Sequence, residues 1–159
     1  MAILINQNVV MKDLWNKVNE FSGNVHAYPN FSILPLKAFS EPDHISESDQ
    51  PAKNTECLGA WFNAEIGSDL DSELFQKTSL SLPLLNIDVE DFNDGRAFTL
   101  AKLIRTRFNY TGELRLSGNF LVEQIAMFKA CGVDAFLLPD DSDVDYALYI
   151  LSNTPLSAY

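Results

Sequence analysis

From Asp88 to Leu138 the chain reads DVEDFNDGRAFTLAKLIRTRFNYTGELRLSGNFLVEQIAMFKACGVDAFLL. After the polar turn Asp94-Gly95-Arg96, the apolar residues Ala97, Leu100, Ala101, Ile104 and Phe108 recur at helical spacing, with Thr99, Lys102, Arg105 and Thr106 on the other side. This predicts a helix capped by Asp94, with one face in a core and one in solvent. Glu113-Leu114-Arg115-Leu116 alternates like a strand. Ser117-Gly118-Asn119 then leads into a second helical run through Phe120, Leu121, Ile125, Phe128 and Cys131, closed by Gly132 as a left-handed cap. Asp134 to Leu138 is a strand stopped by Pro139. Strand, helix, strand, helix, strand is the signature of an α/β chain with a largely parallel sheet of repeated β-α units. Two architectures satisfy it: an open layered sheet, or a partial (half) TIM-like barrel.

Outward from this stretch the same signals continue. Leu84 to Val89 and Cys57 to Phe62 are short apolar runs, the pattern of strands buried on both faces. Between them Ser68 or Asp69 is placed to cap a short helix carrying Leu70, Leu74 and Phe75. Phe31 to Phe39 is β-prone, and Pro35 suits an edge strand or a strand end. At the start, Ala2 to Ile5 and Val9-Val10 flank a plausible turn and predict a small hairpin. Leu14, Trp15, Val18 and Phe21 then recur at helical spacing, which predicts a brief amphipathic helix. Residues at about 40–55, acidic and with two prolines, read as a mobile surface loop within a single domain of 1–159. Ser142 or Asp143 caps a terminal helix with Val144, Ala147, Leu148 and Leu151 on one face.

Composition narrows the function. An apolar fraction of 47% with 18 aromatics supports a real core. A net charge of -11 repels phosphate backbones and anionic membranes, so nucleic acid and membrane are not expected partners. No window approaches the roughly 20 apolar residues of a membrane span, and the N-terminus lacks the pattern of a signal peptide, so a cytoplasmic location is expected. Cys57 and Cys131 are far apart, and His26 and His44 are unaccompanied. Neither a metal site nor an iron-sulfur ligand set can be assembled from them.

The strand-to-helix handovers nominate a site. Asp88 ends one strand, and Arg96 stands in the first turn of the next helix, where a cation opposes the helix dipole and needs a partner. Either a neighbouring acid (Asp88, Glu90, Asp91 or Asp94) supplies that partner, or Arg96 and the first-turn N–H groups face a bound anion. Gly118 lets a ligand approach the backbone between Ser117 and Asn119, although Ser-Gly-Asn also serves as an ordinary turn and cap. Residues 94–138 hold 6 cations and 4 acids, against 5 and 14 before them and none and 4 after them, so the middle is the only net-positive part. A solvated helix face accounts for Lys102, Arg105 and Arg107. The candidate binding residues are therefore Asp88, Asp94, Arg96, Arg115, Ser117, Gly118 and Asn119, with no catalytic residue assigned.

The Asp94 to Arg105 stretch, Gly112-Glu113-Leu114-Arg115, Gly118, Gln124 and Cys131 to Phe136 together resemble a bacterial family of unknown function. Its members are described as oxidoreductases of sulfite reduction and are typically encoded beside assimilatory sulfite reductase or phosphoadenylyl-sulfate reductase. The resemblance adds Gln124 to the candidate site. It implies an accessory role in sulfur assimilation, as an adaptor for sulfite reductase or a related enzyme; the alternative, which rests on the Asp94-Gly95-Arg96 and Ser117-Gly118-Asn119 turns, is an enzyme or sensor that binds sulfite, sulfate or a phosphate-bearing ligand. This chain has Asn119 where the family usually has Asp, and Val122 where Arg is frequent. Because no G-x-G-x-x-G fingerprint, redox cysteine pair or haem ligand stands in the sequence, the cofactor stays unassigned, and any electron transfer would need a cofactor bound without these motifs or one belonging to a partner. A partial barrel also leaves strand edges open, so self-association is a further expectation.

Overall fold

The computed structural model describes residues 3–6, 9–23, 25–39, 57–69, 72, 75–76 and 79–155. Eight strands form one sheet: β1 (Ile3–Asn6), β2 (Val9–Met11), β3 (Asn16–Lys17), β4 (Ser32–Pro35), β5 (Leu58–Asn63), β6 (Leu84–Val89), β7 (Glu113–Gly118) and β8 (Ala135–Leu138). Their spatial order is β2-β1-β8-β7-β6-β5-β4-β3. From β3 to β8 every neighbouring pair is parallel, whereas β1 runs antiparallel to both β8 and β2. The helices are α1 (Arg96–Thr106), α2 (Ile125–Ala130) and α3 (Val144–Asn153).

This order decides between the two expected architectures. Each parallel strand is laid beside its predecessor in one direction, and right-handed crossovers that always step the same way put every connection on one face. An open doubly wound sheet needs a reversal in strand order, and here there is none. The sheet is a curled half-barrel with helices outside.

Chain connectivity gives a second measure of the curl. Eight strands laid flat would set β2 and β3 roughly 33 Å apart. Yet only Lys12 to Trp15 join them, a link that spans at most about 19 Å from Met11 to Asn16. The two edges must bend towards each other, and residues 12–18 run as a strap across the concave side.

Register divides the strands into two faces. Leu85, Ile87 and Val89 of β6, Leu114 and Leu116 of β7, and Phe136 and Leu138 of β8 share one buried cluster with Ala97, Leu100, Ala101 and Ile104 of α1. The helical spacing read from the sequence is the spacing that packs. Gly132 does adopt the left-handed conformation, and Asp143 caps α3 by accepting from the Tyr146 N–H. Pro35 ends β4, and the N-terminal hairpin forms from β1 and β2.

Other expectations are corrected. Residues 14–21 are not helical; Asn16 and Lys17 form β3, and Leu14 points to solvent. Ser68 and Asp69 lie inside a 3-10 helix, Ala64–Asp69; of the helix expected after them only Phe75 and Gln76 are described, as helical, while Leu70 and Leu74 fall outside the described residues, as does the loop at 40–55. The residue before α1 is Gly95, one position later than expected, while the Asp94 carboxylate accepts from the first-turn N–H of Arg96. Arg105, assigned to the solvent face, is 5% exposed. Among the described residues no helix is long and apolar enough to cross a membrane.

Candidate functional site

The other face of β6 and β7 is built differently. Asn86 and Asp88 alternate with the core residues of β6, and Glu113, Arg115 and Ser117 do the same on β7. Adjacent central strands thus turn five polar side chains to the concave side, where a parallel barrel ordinarily packs branched apolar ones.

These groups form two connected clusters. Buried Asn86 donates through Nδ2 to Ser117 Oγ at 2.9 Å, and Ser117 donates to Asp88 Oδ1 at 2.8 Å. Lys17, reaching in from the strap, meets the same oxygen at 3.0 Å and lies 4.5 Å from the centre of the Trp61 ring. The Trp61 indole N–H in turn donates to the carbonyl of Val18 at 2.8 Å. Beside this chain, Arg115 is 2% exposed and donates through Nη1 to both oxygens of Asp13, at 2.9 and 3.0 Å. Its Nε and Nη2 donate to Glu113 Oε1 at 3.2 and 3.1 Å. A guanidinium so deeply buried is tolerable only when its N–H groups are this fully engaged.

The remaining nominated residues sit at the rim where the parallel strands end. Arg96 closes on Asp94 as a fork, Nε to Oδ1 at 2.9 Å and Nη2 to Oδ2 at 2.7 Å. That pairing, chiefly the side-chain hydrogen bond, holds the Asp94 carboxyl below its ordinary range and raises Arg96. Both groups line a shallow crevice with Asn63, Glu65, Glu90 and Ala97. Gly118, at φ +96°, lies so close to β6 that a Cβ there would strike the backbone of Val89. Asn119 donates to the Glu90 carbonyl at 3.0 Å, and Gln124 donates to the Phe92 carbonyl at 2.9 Å while accepting from the Leu121 N–H. Gly118, Asn119 and Gln124 therefore tie the loop after β6 to the end of β7.

The eight nominated residues fall into two groups. Asp88, Arg115 and Ser117 share the concave face; Asp94, Arg96, Gly118, Asn119 and Gln124 occupy the rim. Asn86, Glu113, Trp61, Asp13 and Lys17 complete the concave clusters and were not nominated. Alternation in β6 and β7 signals the first two, whereas nothing local marks Asp13 or Lys17, whose partners lie 102 and 71 positions away.

A second buried arginine is purely architectural. Arg105 donates to the carbonyls of Gly132, Tyr110 and Gly112 and to the Asp134 carboxylate, which also accepts from the Leu114 N–H. It locks α1 to the turns that begin β7 and β8. Nearby, burial pushes the Tyr110 hydroxyl well above its ordinary value, with Arg105 opposing. Burial likewise raises the half-buried Cys131 thiol, against a smaller opposing effect of Lys102, so it is a poor nucleophile.

A family model described as a bacterial protein of unknown function, DUF934, matches residues 64–156. The chain belongs to the DUF934 family. No curated protein and no solved structure matches it. The DUF934 match begins just after β5 and includes β6 to β8 with α1 to α3. It thus contains Asp88, Arg115 and Ser117, whereas Asp13, Lys17 and Trp61 come from the chain before it.

Proposed function

We propose that this DUF934 protein is an accessory protein of assimilatory sulfite reduction, an adaptor that docks an acidic rim on a basic face of sulfite reductase or another sulfur-assimilation enzyme. The observation that carries the docking mode is where the unmatched acids lie. Parallel strands end at a common rim, and the segments following them hold exposed Glu65 after β5, Glu90 and Asp91 after β6, Glu123 after β7, and Asp141, Asp143 and Asp145 after β8. Two exposed cations stand in the described segments after these strands: Arg96, which is forked onto Asp94, and Lys37, after β4. Basic residues Arg105, Arg107 and Lys129 gather at helix C-termini instead, at the opposite rim. Helix dipoles favour this division, and its consequence is a molecule with one strongly anionic end. Such an end steers a basic partner and fixes its orientation.

The sulfur-assimilation assignment rests on the family resemblance of the Asp94 to Phe136 stretch. The alternative is an enzyme or sensor that binds sulfite, sulfate or a phosphate group at the Asp94-Gly95-Arg96 and Ser117-Gly118-Asn119 turns. Arg96 and Arg115 would be its ligands, but both already hold carboxylates, and an arriving anion would face Glu65, Glu90 and Asp94. The adaptor role is therefore the better supported. Co-purification with tagged sulfite reductase at low salt, lost at high salt, is the expected result. No complex at low salt would remove the proposal, and calorimetric heat with sulfite that disappears in Arg96→Ala would favour anion binding instead.

A further inference from the structure

The strap and its edge strand are amphipathic in the wrong sense for a free monomer. Asp13 and Lys17 point into the half-barrel, while Val10, Met11 and Leu14 are 48%, 48% and 65% exposed. Phe31, against the strap, is 43% exposed, and its ring meets Trp15 edge-on at 5.4 Å. Its backbone sits at φ +65°, a conformation strained for a bulky side chain. β2 is also the terminal strand, with no partner on its outer side among the described residues. An apolar, unpaired edge of this kind is normally blunted or covered.

We propose that the chain forms a two-fold homodimer in which β2 pairs antiparallel with β2 of a second copy, covering Met11 and Leu14. Charge selects this occupant. The basic partner suited to the rim finds no counterpart here, since the only charges from Val10 to Asn16 are Lys12 and Asp13, and Asp13 is spent on Arg115. On a molecule of net charge -11, this nearly neutral apolar edge is where two copies meet with least repulsion. Geometry agrees, because two copies of one strand edge related by a two-fold axis necessarily run antiparallel and form a self-complementary contact.

The dimer does not depend on the adaptor role, and salt separates the two. Sedimentation equilibrium of the full chain should give a dimer at micromolar concentrations, tightened by added salt as repulsion between the acidic bodies is screened. Leu14→Glu should weaken it at least about tenfold, as expected for a central apolar contact, with the circular dichroism spectrum of the folded chain retained because the side chain is exposed. Met11→Glu repeats the test at the paired edge. A wild-type monomer, a dimer indifferent to both substitutions, or a dimer dissociated by salt would each overturn the proposal, whereas loss of a reductase complex with the dimer intact would strike only the adaptor role.

Discussion

The concave face and the rim lie a few residues apart on the same strands, yet they treat charge in opposite ways. Inside, Arg115 meets Asp13 and Glu113, and Lys17 meets Asp88, each cation matched at hydrogen-bonding distance. At the rim, exposed acids outnumber cations and stay hydrated. Charge that is buried and matched fixes architecture, here by fastening the strap across the half-barrel; charge that is exposed and unmatched is what the proposed adaptor role would use. If so, substitutions inside should cost stability, and substitutions at the rim should cost binding alone.

The largest effects belong inside. Arg115→Ala strands Asp13 and Glu113 without their cation and should lower the free energy of unfolding by about 3–5 kcal/mol, the usual cost of breaking one partner from a buried ion pair. Arg105→Ala should fall in the same range, since it frees three carbonyls and Asp134. Urea unfolding measures both, and a loss of less than about 1 kcal/mol for either would place that arginine with the surface ion pairs.

Gly118→Ala comes next, at about 1–3 kcal/mol for the strained positive φ, with more if the Val89 backbone has to move. Tyr110 gives a pH test. Its hydroxyl is raised by burial, so its contribution is fully present below the ordinary value of 10.0 and is lost as pH rises through the folded value. Wild type should lose stability above pH 10 more steeply than Tyr110→Phe, and equal slopes would contradict the buried neutral phenol. Arg96→Ala should have the smallest effect on stability, because its fork is exposed. The Asp94 carboxyl should rise back towards its ordinary value, visible by NMR titration, and any stability from the pair is present above that value and fades as pH falls through the depressed one.

Much of the outer shell was legible because its signals are local. Ala97, Leu100, Ala101 and Ile104 announce their helix through spacing, Gly132 through its missing Cβ, and Asp143 through its capping carboxylate. The strap misleads for the complementary reason. Leu14, Trp15, Val18 and Phe21 share helical spacing, but only Val18 and Phe21 pack against one apolar cluster, and the segment is held by Arg115, Trp61 and Asp88, distant in sequence. Arg105 stands where a helical wheel predicts solvent, and only the return of the chain at Tyr110 to Asp134 buries it. Half of the candidate site could be read in the same way: alternation marks Asp88, Arg115 and Ser117, whereas the partners that complete their clusters from the strap carry no local mark.

The division between architecture inside and recognition at the rim is tested most directly by neutralising the rim. Glu65→Gln, Glu123→Gln, Asp141→Asn and Asp145→Asn, combined in one chain, leave the Asp143 cap and every concave residue untouched. Pull-down by tagged sulfite reductase at low salt should fail with this variant while its melting temperature matches wild type. Undiminished capture, or a variant that no longer folds, would contradict the account.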